Sequence, residues 1–134
     1  MKWEIEFTEE SKAAIMEALD KALKLTMNDM VTDMIMHCPV KTGYTRNTIR
    51  GEVEGTTIIL YAGGAIAYIE FGTPPHDIKP SEKKALFWGG AEYPVKVVHH
   101  PGTMPNPIMT SAVHRGLLEY LPKRLQEVFA PWAG

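Results

Sequence analysis

The order of periodicities along the chain predicts an α+β fold: a long N-terminal helix, an antiparallel sheet of about four strands, and a C-terminal helix packed on the sheet. Three observations carry this prediction. The stretch from Thr8 to His37 contains neither glycine nor proline. After Gly43 the apolar spacing drops from the helical period to two. From Ile108 the helical period returns.

The first residues alternate, with Trp3, Ile5 and Phe7 against Lys2, Glu4 and Glu6. That is the pattern of a short edge strand, or of an arm that docks on a neighbour. Thr8 offers an N-cap oxygen, and Glu9 and Glu10 place negative charge in the first helical turn. Ile15, Ala18, Leu19, Ala22, Leu25, Met30, Met34 and Ile35 then recur at helical spacing. A helix of about 28 residues is roughly 42 Å long. This exceeds what a globule of 134 residues needs, so part of it is expected to pack on another subunit. Pro39 ends it, since the residue before a proline avoids helical geometry.

Ile49, Gly51 and Val53 oppose Arg50, Glu52 and Glu54 as a half-buried strand would. Gly55 supplies a turn, and Thr57 to Ala62 form a β-branched second strand. Gly63 and Gly64 break it, and Ala65 to Phe71 suit a short helical turn. GTPPHDIKPSEKK, from Gly72 to Lys84, reads as an exposed loop. Ala85–Trp88 and Tyr93–His99 are two further strand candidates around Gly89-Gly90. In HPGTMPNP, Asn106 can cap the last helix and Pro107 suits its first position. Ile108, Ala112, Leu117, Leu121, Leu125 and Val128 give that helix its apolar stripe, with Pro122 kinking or splitting it. No repeat or linker divides the chain, so residues 1–134 are expected to form a single domain.

Composition narrows the function classes. With 45% hydrophobic and 22% charged residues the chain can build a core rather than stay disordered. A formal charge of −2 argues against a dedicated duplex-DNA binder, which needs a basic footprint to displace counterions. It leaves room for a protein through which DNA merely passes. The single cysteine, Cys38, allows no intrachain disulfide. MKWEIEFTEE lacks the apolar core of a secretory signal, and no apolar run approaches the ~20 residues of a membrane span. The expected setting is a cytoplasm, or something assembled there.

Several strings only imitate chemistry. Lys41-Thr42-Gly43 and Ser81-x-x-Lys84 echo motifs of penicillin-binding enzymes, but in reversed order and with no Ser-Asp-Asn between them. Cys38, beside His37, sits at a helix C-terminus, where the dipole disfavours a thiolate, so it reads as a structural cysteine. His76, His99, His100 and His114 have no helical i, i+4 partner, and adjacent histidines in a strand point to opposite faces. Gly63-Gly64 lacks the ending of a phosphate loop. Glu70 and Asp77 have no catalytic base near them in sequence. No catalytic constellation, metal site or cofactor is expected. Lys41, Arg46 and Arg50 form the best candidate for touching phosphate, although a solvated face or subunit salt bridge is the plainer reading. Met27, Met30, Met34 and Met36 suit a core or a subunit interface.

Three segments then occur in order: Pro39-Val40-Lys41-Thr42-Gly43-Tyr44-Thr45-Arg46-Asn47-Thr48-Ile49, Tyr68-Ile69-Glu70-Phe71-Gly72-Thr73, and His100-Pro101-Gly102-Thr103-Met104-Pro105-Asn106-Pro107-Ile108. Together they resemble the minor tail, or tail-completion, family of long-tailed bacteriophages, which carries P-V-x-T-G-x-L-R-x-S-I, Y-x-E-F-G-T and H-P-G-T-x-x-x-P-F. With the flanking helices, the resemblance covers nearly the whole chain. It departs from the pattern around Tyr44 and Thr45, and at Ile108 where phenylalanine is usual.

The resemblance implies a non-enzymatic virion protein, made in the host cytoplasm, that forms a homo-oligomeric ring at the head–tail junction. Its implied neighbours are connector and tail-tube proteins, with DNA passing through but not specifically bound, and no membrane. Thr42, Gly43, Arg46, Tyr68, Glu70, Phe71, Gly72, Thr73, His100, Pro101, Gly102 and Pro107 are the motif and interface residues it singles out. Tyr68, Ile69 and Phe71 are expected to wedge against the sheet. The alternatives are a small metal-dependent hydrolase or nuclease using Glu70, His76, Asp77 or His99-His100, and a DNA-binding accessory protein using Lys41, Arg46 and Arg50 with Tyr44 stacking.

Overall fold

The computed structural model describes residues 1–41, 43–78 and 97–132. The chain falls into two compact units, Met1–Gly64 with Ile108–Gly134, and Ala65–Pro107.

In the first unit α1 spans Glu9–His37, 29 residues. Thr8 caps it, its hydroxyl accepting from the Ser11 N–H at 3.1 Å. Cys38 closes it just ahead of Pro39. Residues 1–8 form no strand. They form an exposed arm outside any helix or strand, with Trp3 and Ile5 each 84% exposed. Burial on α1 begins only at Ala18, so its first turns project beyond the unit's own core.

The short helix α2 (Tyr44–Asn47) leads into the antiparallel hairpin of β1 (Arg50–Glu54) and β2 (Thr57–Tyr61). Gly51, Val53, Ile58 and Leu60 share one face, by the register Gly51↔Leu60 and Val53↔Ile58. That face lies on α1: a Cβ added at Gly51 would come within 2.8 Å of Met27.

The C-terminal segment runs as α4 (Ile108–Arg115), a π turn (Gly116–Tyr120) and α5 (Leu121–Phe129). It packs along α1, correcting the expectation that it packs on the sheet. The buried residues on the two sides are Met30, Met34, Ile108 and Ala112, and burying a side chain the size of Ile or Met contributes about 1.5–3 kcal/mol. The expected stripe also needs correction, since Leu117 is 62% exposed while Gly116 is buried. Pro122 has no N–H for a carbonyl four residues back, and its ring crowds that carbonyl. The chain widens just upstream, and the Leu121 N–H reaches back five residues to the Gly116 carbonyl. One extra residue enters the turn, and exposed Leu117 and Leu118 separate buried Gly116 from half-buried Leu121.

The second unit holds α3 (Ile66–Phe71), as the sequence leads one to expect, and a second hairpin of β3 (His76–Ile78) and β4 (Val98–His100). The architecture is therefore mixed helix and sheet, but the four strands among the described residues form two separate two-stranded ladders. β3 lies in the stretch expected to be loop. Its residues are all exposed, so no apolar alternation marks it. The Ala85–Trp88 strand, the Gly89-Gly90 turn and the first part of the Tyr93–His99 strand lie outside the described residues. No described helix is long and apolar enough to cross a membrane.

Candidate functional site

The second and third sequence motifs meet within the second unit. Gly72 ends α3, its N–H bonding the Tyr68 carbonyl at 2.9 Å. Thr73 and Thr103 then exchange both backbone hydrogen bonds, each 3.0 Å, and their hydroxyls lie 3.0 Å apart. This pair shares the register of His76↔His100 and Asp77↔His99, so it belongs to the same hairpin. Hydrogen-bonded pairs alternate in an antiparallel ladder. The next bonding position is therefore Pro75 opposite Pro101, where neither residue has an N–H, and the ladder lapses there. Further on, the Asn106 N–H bonds the Ile69 carbonyl at 2.8 Å and ties the third motif back to α3.

Glycine is required on both sides of this clasp. Gly72 has φ +72° and Gly102 has φ +84°, in the region that other residues resist. A Cβ on Gly72 would lie 2.5 Å from the Thr103 carbonyl oxygen, and one on Gly102 would strike the Thr73 carbonyl oxygen.

The histidines pair across the strands. The His76 and His100 rings stack at 4.9 Å, as a close non-bonded pair permits. His76 Nδ1 lies 2.9 Å from the Pro74 carbonyl and must donate to it, whereas His100 Nδ1 accepts from the Gly102 N–H at 3.0 Å. The two rings are thus held in opposite tautomers. His99 faces Asp77 at 2.9 Å, both exposed. Among the described residues no three His, Cys, Asp or Glu side chains gather to hold a metal. Glu70 is buried; Tyr68 and Phe71 are 66% and 77% exposed, so they do not wedge against a sheet as expected. Pro101 and Pro107 are exposed.

The first motif lies in the first unit. Thr42 is outside the described residues. Gly43, at φ +82°, opens α2, and its carbonyl accepts from the Asn47 N–H at 2.9 Å. The Thr48 hydroxyl donates to the Thr45 carbonyl at 2.6 Å and accepts from the Gly63 N–H at 2.8 Å. This joins the motif to the end of β2. Lys41, Tyr44, Arg46 and Arg50 are exposed, and the Arg50 guanidinium sits 4.6 Å over the Tyr61 ring. Cys38 is buried, and burial raises its thiol pKa above the ordinary value, with Arg46 opposing weakly. It is held as a thiol.

Sequence reasoning missed a charged network between α1 and the C-terminal helices. Asp33, 4% exposed, accepts from two of the three guanidinium nitrogens of Arg115, Nε and Nη2, and from the Tyr120 hydroxyl. Hydrogen bonding from Arg115 holds its carboxyl below the usual range, against the opposing effect of burial. One turn earlier on α1, Asp29 receives two nitrogens of Arg124 at 2.7 and 2.8 Å. Arg115 and Arg124 are nine residues apart, about two and a half turns in an uninterrupted α-helix, which would put them on opposite faces. The extra residue in the π turn brings Arg124 about 100° back toward the side of Arg115, and both reach α1. The available signal was Asp33 itself, a charge among the apolar positions Met30 and Met34.

Set against known proteins, the chain matches no family model, no curated protein and no solved structure.

Proposed function

We propose that this protein is a structural subunit of a tailed-bacteriophage virion, forming a ring at the head–tail junction that completes or caps the tail. The observation that carries the reading is the Thr73–Thr103 clasp. The glycines and threonines of the second and third motifs serve backbone geometry there, which accords with motifs kept for shape rather than for reaction. The exposed Tyr68 and Phe71 beside the clasp suit contact with another subunit or a neck protein. The projecting start of α1 suits the same role. On this reading the protein is not an enzyme, and it works in the virion after assembly in the host cytoplasm.

The test is genetic. A stop codon in this gene within its phage or prophage should leave filled heads and finished tails lying separately, and supplying the protein in trans should join them. Normal virions from the stop-codon mutant would rule the reading out.

A further inference from the structure

We propose that the N-terminal arm, Met1–Phe7, of one copy adds as a strand along the free edge of β2 in another copy. It seats Trp3, Ile5 and Phe7 in the apolar groove beside that strand. The inference rests on the self-association part of the function proposed above, not on its place in a virion.

The groove lies wholly within the first unit and has a volume of about 570 Å³. Leu23 and Met30 of α1 form its floor, Ile58 and Leu60 of β2 one side, and Val113 and Leu117 the other. Val113 and Leu117 are 41% and 62% exposed. Among the described residues β2 is hydrogen-bonded only to β1, so its other edge carries unpaired backbone groups. A strand laid there finds ready hydrogen bonds and an apolar face to extend, the combination used in strand addition.

The arm has the matching chemistry. Its backbone forms no helix and makes no ladder of its own. Trp3, Ile5 and Phe7, 84%, 84% and 57% exposed, fall on one face of a strand by their alternation. Lys2, Glu4 and Glu6 fall on the other, toward water. Placed on β2, the apolar face continues the one formed by Ile58 and Leu60.

Reach selects a second copy. From Thr8 to Leu23 the helix advances about 22 Å, and seven extended residues span at most about 24 Å. An arm folded back on its own chain would use its length in returning, leaving Met1, rather than Trp3 to Phe7, at the groove. A neighbour's arm has no such limit. Because arm and groove are different surfaces, the contact is head-to-tail, and successive contacts close into a ring when the rotation allows.

The experiment mixes two full-length variants that each carry one added cysteine, Ile5→Cys and Val113→Cys, at millimolar protein under mild oxidation, with Cys38 left in its buried place. The expected result is a disulfide-linked heterodimer on a non-reducing gel. Its yield should fall roughly tenfold when Trp3→Glu is added to the arm or Leu117→Glu to the groove. No heterodimer, or a cross-link in the Ile5→Cys, Val113→Cys double variant that stays within one chain, overturns the proposal. Native mass spectrometry separates it from the ring reading. Rings without the cross-link would sink the arm and spare the ring, whereas cross-linked dimers that never close would spare the arm and count against the ring.

Discussion

Arg115 closes on Asp33 with two guanidinium nitrogens across 82 residues of sequence. It does so from the last turn of α4, just before the helix changes its winding. The pair joins the longest helix to the chain's C-terminal segment at a point where one partner is fully enclosed.

Breaking the pair from one side should therefore cost more than dissolving it. Asp33→Ala leaves a guanidinium facing an apolar wall, and we expect a loss of about 2–4 kcal/mol. That is below the fully buried case, because the Arg115 side chain is a third exposed. The double variant Asp33→Leu, Arg115→Met should recover most of it. Urea midpoints decide the matter, and a cost for Asp33→Ala within 0.5 kcal/mol, the usual surface range, would show the pair to be inert.

The same carboxylate sets an acid dependence. Its folded pKa is lowered from the ordinary 3.8, mainly by the Arg115 hydrogen bonds. As pH falls below 3.8, the unfolded chain takes the proton first. The contribution is thus complete above that value and declines toward the folded pKa. Denaturant midpoints measured down through this window should fall more steeply for the wild type than for Asp33→Asn. Parallel curves would argue against the assignment.

The clasp makes a local prediction. Gly72→Val forces a β-branched side chain into positive φ and against the Thr103 carbonyl, and Gly102→Ala sets a methyl group at positive φ against the Thr73 carbonyl. Strain of this kind costs on the order of 1–3 kcal/mol. Amide exchange at Thr73 and Thr103 should accelerate in both variants, while amides in the middle of α1 hold. Unchanged exchange at the two threonines would mean the paired bonds are not what protects them.

Cys38 should resist thiol reagents in the native protein and react on unfolding. With its folded pKa above the ordinary 9.0, the unfolded chain ionises first, so stability falls as pH rises past 9.0. Cys38→Ser should flatten that alkaline decline. Rapid labelling of the native protein would contradict the buried thiol.

If the proposed ring reading holds, Phe71 should separate folding from assembly. It is 77% exposed, so Phe71→Ala should leave thermal stability within about 0.5 kcal/mol of wild type while lowering the yield of joined particles. Full particle yield would remove Phe71 from the interface.

How much of this was legible in the sequence varied by element. The α1 boundaries, the Gly55 turn and the first hairpin could be read, because capping, proline and alternation act locally. β3 could not, since all three of its residues face solvent and only their pairing with Val98–His100 defines them. The π turn was invisible for a different reason. Pro122 announced a disturbance, but whether a helix kinks, breaks or takes in a residue depends on what packs beside it, here Met30 against Gly116. The clasp was half legible: Gly72 and Gly102 stood out as motif residues, but nothing local says that each makes room for the other's strand.

The proline-interrupted hairpin also bears on what the protein does at high concentration in a cell. In an antiparallel pair, the N–H groups next to each bonded position point outward, where a foreign strand could attach. Beside the Thr73–Thr103 pair, Pro74 has no such group, and the one on Gly102 is already engaged by the His100 ring. A stranger approaching the clasp at Pro74 or at Gly102 finds no open donor, so at these two positions the ribbon is a poor seed for fibrils even when many copies crowd together.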